Sequence, residues 1–575
     1  MILNKRILNF LVIITFSFIT FSWTFFIFHV SFDIKLVLSV IVLRIIASLL
    51  IFKDYSLSWS KATQKTFLIK SFVYIVPFVL YAPYYHGEVR FAFLASELFL
   101  YIFIVNFTMY FYYYIINRST IEKTKNVVIY GAGKAGVKLK EEFKYTEYKV
   151  RYLVDDDLSL QGRSIDSIRI LSPKYLKEKL KNKKYDLLVI AMPSATTLQI
   201  KNVYDDLNVF FQEIQILPSL EEILRDKDFT TQLKDISVED LLARHPKDLD
   251  KTAIKSFIVN KTVLITGAGG SIGSQIAREC VNFGAKQLIL IDHSEFNLYT
   301  IAQELEKYNP ILVMQSVSNK ELLDKTFEKY SPDIVIHAAA YKHVPLVEDN
   351  IGEAIINNII GTKNTIDCSI KHNVKNFLLI STDKAVRPTN VMGTTKRICE
   401  LYLQNVDSKD TQVVAVRFGN VLGSSGSVIP KFKSQIEAGK PITVTHKDIT
   451  RYFMLIPEAC ELVLQAASLG SKGEIFILDM GEPIKISDLA QKMVELSGRK
   501  DIAIEYTGLR PGEKLYEELL IDDSDAKTQY ESITVAGKTS YDIEKLDSDI
   551  LELVNTQDKL NKLKEIVPEF SHQLN

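Results

Sequence analysis

Hydrophobic positions are spread unevenly along the 575 residues. Before residue 118 they run almost unbroken through four stretches, about 7–29, 34–52, 67–84 and 91–116. Each comes near the roughly 20 residues an apolar helix needs to cross a bilayer. The first is too long for the apolar part of a signal peptide, and no small-residue cleavage site follows it. Basic residues sort by side. Lys5 and Arg6 precede the first stretch, Lys53, Lys61 and Lys65 separate the second from the third, and Arg118, Lys123 and Lys125 follow the fourth. The other two connections carry little positive charge, so the positive-inside rule predicts both termini in the cytoplasm. Tyr81, Tyr84, Tyr85, Tyr112, Tyr113 and Tyr114 suit interfacial belts. Arg44 falls inside the second stretch and is expected to snorkel or to pack between helices. Nothing here points to transport, so residues 1–118 read as a four-helix transmembrane anchor in the lipid bilayer.

Past residue 118 the pattern changes to short apolar runs alternating with helix-length stretches, the order of an α/β fold with doubly wound sheets. Asn126-Val-Val-Ile-Tyr130 predicts a strand, and Gly131-Ala-Gly-Lys-Ala-Gly136 follows it as a GxGxxG turn. The glycines permit a tight turn and close phosphate approach. Val150-Arg-Tyr-Leu-Val154 predicts a second strand ending at Asp155-Asp-Asp157, and Asp186-Leu-Leu-Val-Ile-Ala191 a further one. Residues 119–245 thus read as a first Rossmann-like domain. No catalytic constellation follows its turn, so nucleotide binding and a structural or regulatory role both stay open. The charged stretch 226–251 reads as linker and helix.

Residues 246–575 repeat the α/β order with a fuller set of signals. The apolar run Val263-Leu-Ile265 leads into Thr266-Gly-Ala-Gly-Gly-Ser-Ile-Gly273. Gly267, Gly270 and Gly273 give a GxxGxxG spacing, and a helix starting near Ser271 and Ile272 points its N-terminus at a pyrophosphate. The next strand, Gln287-Leu-Ile-Leu-Ile291, ends at Asp292. An acid there accepts from a ribose 2′-hydroxyl and repels a 2′-phosphate, which favours NAD over NADP. Asp333-Ile-Val-Ile-His-Ala-Ala-Ala340 predicts a buried strand whose small tail, Ala338 and Ala339 included, lets a cofactor lie against the backbone. Asn358-Ile-Ile-Gly-Thr362 reads as structural.

Composition narrows the classes. Lys plus Arg equals Asp plus Glu at 69 each, which argues against a nucleic-acid surface. Cys280, Cys368, Cys399 and Cys460 lie far apart with no metal-ligand spacing, so no metal is expected and the thiols read as reduced packing groups.

Downstream, Leu378-Leu-Ile-Ser-Thr-Asp-Lys384 precedes Met392-Gly-Thr-Thr-Lys396. This pair resembles the active-site stretch of extended short-chain dehydrogenases, whose usual pattern is Tyr, three residues, Lys. Lys396 is present, but Met392 stands in the tyrosine slot, and a thioether cannot donate or accept the proton a phenol would. Region 260–530 resembles the nucleotide-sugar branch of that family. Ser381-Thr-Asp-Lys384 is similar to the Thr-Asp-Glu of dTDP-glucose 4,6-dehydratases, with Lys in the Glu position. Ala340-Tyr-Lys-His-Val-Pro345, Arg417-Phe-Gly-Asn-Val-Leu-Gly423, Thr450-Arg-Tyr-Phe-Met454 and Gly508-Leu-Arg-Pro-Gly-Glu-Lys514 are further family-like stretches. With the membrane segment and the extra Rossmann unit, the whole chain resembles the bacterial membrane-bound UDP-N-acetylglucosamine 4,6-dehydratases of protein glycosylation and surface polysaccharide synthesis. Met392 places it nearer their C5-retaining group. The implied fold is a catalytic extended short-chain dehydrogenase with a small C-terminal substrate subdomain, on the bacterial inner membrane, with the catalytic domain in the cytoplasm. A homo-oligomer and a downstream nucleotide-sugar aminotransferase are implied partners.

The resemblance also implies roles. In a 4,6-dehydratase, hydride passes from C4 of the sugar to NAD and returns to C6, while a base takes the C5 proton and an acid protonates the departing C6 hydroxyl. Lys396 would hold the nicotinamide ribose, Thr382 the C4 oxygen, Asp383 would be the acid at C6 and Lys384 the base at C5. For that, the Lys384 pKa is expected to fall, pushed by burial, Lys396 and cationic NAD. Substrate contacts are expected from Lys342, His343, Asn420, Arg451, Arg510 and Glu513, the two arginines suiting a diphosphate. Two other readings stand beside this one: a UDP-sugar 4-epimerase, and a non-catalytic membrane-tethered nucleotide sensor.

Overall fold

The computed structural model describes residues 5–51, 64–117, 121–181, 184–218, 233–237, 240, 248–470, 472–499, 501–519 and 526–572. Lys53, Lys61 and Arg118, on which the expected orientation partly rests, and most of the expected linker 226–251 lie outside these residues. Two compact units form the chain: Met1–Lys125 with Glu142–Lys149, and Asn126–Glu141 with Val150–Asn575.

The first unit holds α1 (Lys5–Ile27), α2 (Ile34–Ile46), α3 (Gln64–Tyr85) and α4 (Phe91–Asn117). Asp33 caps α2, its carboxylate accepting from Lys35 N at 2.9 Å. Helix α1 packs against α2 and α4, and α3 does the same. Three of the helices are long and apolar enough to cross a membrane. The expected second span differs. Its α-helix is 13 residues, which rises only about 20 Å, and the chain continues through a π-helical turn, Ala47–Ile51. The surface of this unit is apolar: Phe26 is 75% exposed and Phe99 72%. Several polar groups within the apolar stretches are inside. Arg44, fully buried, packs between helices rather than snorkelling. Its Nη2 donates to Glu97 Oε2 at 2.7 Å and its Nη1 to Ser17 Oγ at 2.9 Å, and the guanidinium lies 3.8 Å from the Tyr101 ring centroid. Thr20 donates to Glu97 Oε1 at 2.6 Å. Lys70 donates to Asn9 Oδ1 at 3.1 Å. Glu97 and Lys70 are charges inside apolar stretches that the sequence reading passed over. Removing one partner of such a pair costs about 3–5 kcal/mol, because the other charge stays buried.

Among the described residues the second unit contains two large sheets and three two-stranded ones. The first has the order β3-β4-β2-β1-β5-β6-β7, from β1 (Lys125–Tyr130), β2 (Tyr148–Val154), β3 (Ser164–Ile165), β4 (Ile168–Leu171), β5 (Tyr185–Ile190), β6 (Phe211–Ile216) and β7 (Lys234–Asp235). Strand β1 runs parallel to β5, and β5 to β6, as in a doubly wound fold. Val128, Leu188, Ile190, Leu176 and Leu207 fill its core.

The second sheet is larger. Its first six strands are β8 (Thr262–Thr266), β9 (Gln287–Asp292), β10 (Ile311–Met314), β11 (Ile334–His337), β12 (Asn376–Ile380) and β13 (Gln412–Arg417), in the order β10-β9-β8-β11-β12-β13. The parallel strand Glu474–Leu478 follows β13, and Ile533–Val535 and Ala526–Lys527 close that edge antiparallel. Alternation sorts the side chains. Leu264, Phe377 and Leu379 face one core layer, and Val263, Ile265 and Leu378 the other. Strand order reverses between β8 and β11, and ligands bind outside the carboxyl ends of strands at such a point. A separate apolar cluster, with Phe432, Ile442, Phe453, Ile486 and Leu489, builds a small lobe from segments 422–455 and 484–515. All four cysteines are buried and free.

Candidate active site

Gly267, at the end of β8, has φ +63°, and a Cβ there would stand 2.8 Å from Ala339 Cα. At Gly273 a Cβ would meet Gly267 O at 2.1 Å, so helix Ser271–Asn282 starts hard against the turn. Gly270 caps that helix without a side-chain bond, leaving its first N–H groups for a ligand. Asp292 braces the turn, accepting from Gly269 N at 2.9 Å and from Ser294 N at 2.9 Å.

The turn forms one wall of a cleft of about 980 Å³. Gly267, Gly270, Ser271, Ile272, Gly273 and Ala338 line it, whereas Asp292 and Ala339 stand behind the turn. Opposite, Thr382, Lys384, Met392 and Lys396 line it, with Lys342, His343, Asn420, Arg451, Arg510 and Glu513 toward the small lobe. The expected site residues thus converge, with three of them, Asp292, Ala339 and Asp383, set one layer back.

Strand β12 ends at Ile380, and Thr382 caps the 3-10 turn Asp383–Ala385. The next helix, Val391–Asn405, is capped by Asn390, whose Oδ1 accepts from Gly393 N at 2.8 Å. A Cβ at Gly393 would stand 2.2 Å from Lys384 O, so glycine there lets the helix carrying Met392 and Lys396 close on the 3-10 turn. Asn358 ties the surroundings together. It donates to Tyr341 O and to Thr395 Oγ1 and accepts from Tyr341 N.

Asp383 is 1% exposed and sits behind Thr382 and Lys384. Its Oδ1 accepts from Thr382 Oγ1 at 2.9 Å and from Lys384 Nζ at 3.0 Å, and its Oδ2 has no partner. Lys384 also donates to Asn420 Oδ1 at 3.2 Å and lies 3.5 Å from Glu517 Oε1. The expected fall in the Lys384 pKa is not what this arrangement gives. Burial pushes the ammonium down, but the Asp383 and Glu517 carboxylates outweigh it, Arg451 opposes them only in part, and the group stands above the usual lysine value. Lys396 differs: burial holds it below the usual lysine value. Burial also lowers Lys342 and His343. His337, wholly buried between Thr266 and Thr362, is pushed down to about 3 by burial and by Lys396.

Arg451 lines the cleft and is also tied to protein groups. Its Nη1 donates to Thr450 O at 2.7 Å and its Nη2 to Lys514 O at 2.9 Å, and Glu513 and Glu517 lie at 3.5 and 3.6 Å. Arg510 is exposed, and Lys431, which the sequence reading missed, lines the cleft near it. The loop around Ser424 and Ser425 was missed as well. Ser425 N donates to Ser271 Oγ at 3.2 Å, and Lys342 Nζ to Ser424 Oγ at 3.4 Å.

Residues 263–538 match the family model described as polysaccharide biosynthesis protein, and 123–215 the one described as C2185-like, N-terminal. The chain is 43% identical over 462 residues to the capsular polysaccharide biosynthesis protein CapD of Staphylococcus aureus, covering 78% of this chain and 77% of that one. It belongs to the CapD/EpsC-like polysaccharide biosynthesis proteins, with the extended short-chain dehydrogenase fold. The probable polysaccharide biosynthesis protein EpsC of Bacillus subtilis (strain 168) is 42% identical over 422 residues, covering 71% and 70%. A shorter match, 34% over 283 residues, is to the UDP-glucose 4-epimerase of Rickettsia canadensis, covering 47% of this chain and 81% of that one.

Of the residues that complete the site, Glu517 and Lys431 fall outside every motif quoted from the sequence. Glu517 had a weak signal, as an acid among the several that follow Gly508-Leu-Arg-Pro-Gly-Glu-Lys514. Nothing in its spacing tied it to Lys384.

Proposed function

We propose that this protein is an NAD-dependent 4,6-dehydratase. It converts UDP-N-acetylglucosamine to the UDP-4-keto-6-deoxy sugar with retention at C5, for bacterial glycan or glycoprotein biosynthesis. The observation that carries the reading is the Thr382–Asp383–Lys384 group facing the glycine turn across one cleft, with Met392 where a phenol would serve an epimerase. The organisation we propose is an anchor of four membrane-crossing helices over 1–118, a first Rossmann-like domain over 119–245 and the catalytic domain over 246–575. The apolar outer surface of the helices supports the anchor, on the inner membrane with the catalytic domain in the cytoplasm. Function as a homo-oligomer, feeding a nucleotide-sugar aminotransferase, belongs to the same proposal.

The cradle fits NAD. Glycines 267 and 273 leave room only for backbone, uncapped N–H groups of helix Ser271–Asn282 meet a pyrophosphate, and Asp292 suits an unphosphorylated ribose. Gly267, Gly270, Ser271, Ile272, Gly273, Asp292, Ala338, Ala339 and Lys396 would hold it. NAD, when bound, supplies the acceptor and donor for the hydride moved from C4 to C6.

The chain supplies the proton transfers, and the reacting form is the one in which the Lys384 ammonium, favoured by its carboxylate neighbours, has first released a proton to solvent. Thr382 binds the C4 oxygen and passes the hydroxyl proton released on oxidation to Asp383, 2.9 Å away. Lys384 takes the C5 proton. Asp383 returns its proton through Thr382 to the C6 hydroxyl, which leaves as water. Lys384 then gives its proton back to C5 from the face it came from, which retains configuration and closes the proton count.

The epimerase reading has the Rickettsia canadensis match in its favour. One experiment separates the two. Purified protein is incubated with UDP-N-acetylglucosamine in deuterium oxide and the product read by mass spectrometry and NMR. A dehydratase gives the 4-keto-6-deoxy sugar with deuterium at C5 and the C4 hydrogen at C6, without added reductant. A C4 epimer that has lost no water, or NADH building up one per product, overturns the proposal.

A further inference from the structure

We infer that Glu517 is a positioning residue for Lys384, and that Arg451 anchors Glu517. The inference rests on the proposed dehydratase reading and deepens it.

Glu517 comes from the C-terminal segment, far along the chain from the catalytic turn, yet its side chain is 4% exposed in the wall behind Lys384. Its Oε1 lies 3.5 Å from Lys384 Nζ and 3.6 Å from Arg451 Nε, and its Oε2 has no hydrogen-bond partner. A carboxylate buried this way is costly unless cations hold it ionised. Arg451 is one of them, and the Thr450 and Lys514 carbonyls fix its fork. The second is Lys384. An ammonium has three N–H donors; here Asp383 and Asn420 accept from it, and Glu517 completes its surroundings as an ion-pair partner at 3.5 Å. Asp383 and Glu517 are the carboxylates on Lys384, Arg451 is the cation that faces it, and Glu513 stands on the far side of Arg451.

This geometry bears on one step. When Lys384 takes the C5 proton, positive charge appears on its Nζ. Asp383 cannot neutralise that charge at that moment, because the acid role requires it to be carrying a proton. Glu517 carries no such duty and meets the charge at 3.5 Å. A carboxylate fixed beside a base steers it and stabilises the cation it becomes, as in catalytic triads. The ion-pair partners of Glu517 are Lys384 and Arg451, away from Thr382 and the glycine turn, so oxidation at C4 does not depend on it.

The test uses the full-length protein in detergent, with Glu517→Gln and Glu517→Asp. Glu517→Gln is expected to lower kcat by about 10²-fold, the low end for a group acting on proton transfer, with KM little changed. The ascending limb of its kcat–pH profile should move to lower pH, because the Lys384 ammonium loses one of its two carboxylates. In single turnover, reduced cofactor should form at the wild-type rate while deuterium enters C5 slowly. Glu517→Asp should regain part of the rate. A Glu517→Gln enzyme with wild-type kcat and pH limb overturns the assignment. So does one in which C4 oxidation slows as much as C5 exchange, or a Glu517→Asp enzyme that regains nothing while melting at the wild-type temperature. Wild-type protein that makes no 4-keto-6-deoxy product overturns the dehydratase reading, and this assignment with it. Wild-type product with an unmoved Glu517→Gln profile overturns the assignment alone.

Discussion

The glycine turns at 131–136 and 267–273 are built alike, each following the first strand of its own sheet. In each, an acid at the end of the second strand braces the loop: Asp155 accepts from Ala132 N at 2.7 Å, and Asp292 from Gly269 N at 2.9 Å. In each, the last glycine is forced by close approach. A Cβ at Gly136 would stand 1.8 Å from Gly131 O, and one at Gly273 2.1 Å from Gly267 O. The tail of the neighbouring strand approaches both turns closely, with Ala191 O 2.6 Å from a would-be Cβ at Gly131 and Ala339 Cα 2.8 Å from one at Gly267. The difference lies in what that tail carries: β5 runs on into Ala191 and then Met192, whose side chain stands 3.0 Å from the same Gly131 position. Tyr130 donates its hydroxyl to Asp156 at 2.9 Å beside it. Strand β11 runs on into three alanines, and the 980 Å³ cleft begins there, lined by the second turn and by no residue of the first. A glycine fingerprint encodes a turn. Whether the turn has room for a ligand depends on the tail of the next strand.

The strongest way to sharpen this comparison is to remove the chemistry that only the domain of the second turn carries. Lys384→Ala and Asp383→Asn should each lower kcat by about 10²–10⁴-fold, measured as 4-keto-6-deoxy product formed. Asp206→Asn, which breaks an exposed pair with Lys177 in the domain of the first turn, should leave kcat alone. Equal losses from both domains would dissolve the contrast.

Paired changes at the bracing acids come next. Asp292→Asn should weaken NAD binding by about tenfold to a hundredfold, the equivalent of one hydrogen bond to a charged group. Asp155→Asn should lower the melting temperature and leave NAD affinity where it was. Calorimetric titration of both variants decides it. If Asp155→Asn also weakens NAD binding, the first turn is a nucleotide site and the comparison breaks.

A smaller effect is expected from acid. His337 joins Thr266, which precedes the second turn, to Thr362, and its folded-state value is depressed from 6.5 to about 3. Unfolded chain therefore binds the extra proton first as pH falls between those values. The stability His337 contributes is present above about 6.5 and is lost on the way down to about 3. His337→Gln should flatten the fall of melting temperature across that window. An unchanged slope would show that other groups govern acid unfolding.

The smallest effect should come from Met392→Leu. The residue is buried in the main core and meets the cleft only at its wall. A near-isosteric apolar swap costs less than about 1.5 kcal/mol, so activity should survive. Loss of activity with an unchanged melting temperature would give the thioether a role that packing does not explain.

Much of the site was legible along the chain because its parts are local. The glycine spacing, the acid after β9, the alanine tail of β11 and the Thr382–Lys384 turn each lie within a few residues of one another, and strand and helix periods fixed which way they face. The four apolar stretches were legible for the same reason, although α2 proved a short helix ending in a π-turn. What stayed hidden was the partners. Arg451 was expected to reach for a diphosphate because arginine forks suit one, and nothing in the sequence shows that two carbonyls and two carboxylates also surround it. The Lys384 pKa was expected to fall because only its cationic and apolar surroundings could be guessed.

The sequence by itself determined the order of elements, the glycine turns, the missing phenol at Met392 and the family to which the chain belongs, since covalent spacing and hydrophobic period carry that information. Tertiary structure alone decided which charges meet. Arg44 found Glu97 across helices, and Lys384 found Glu517 across the cleft wall. Electrostatic partnership depends on distances of a few ångströms and on the exclusion of water, and both arise only when segments remote in the chain close on one another.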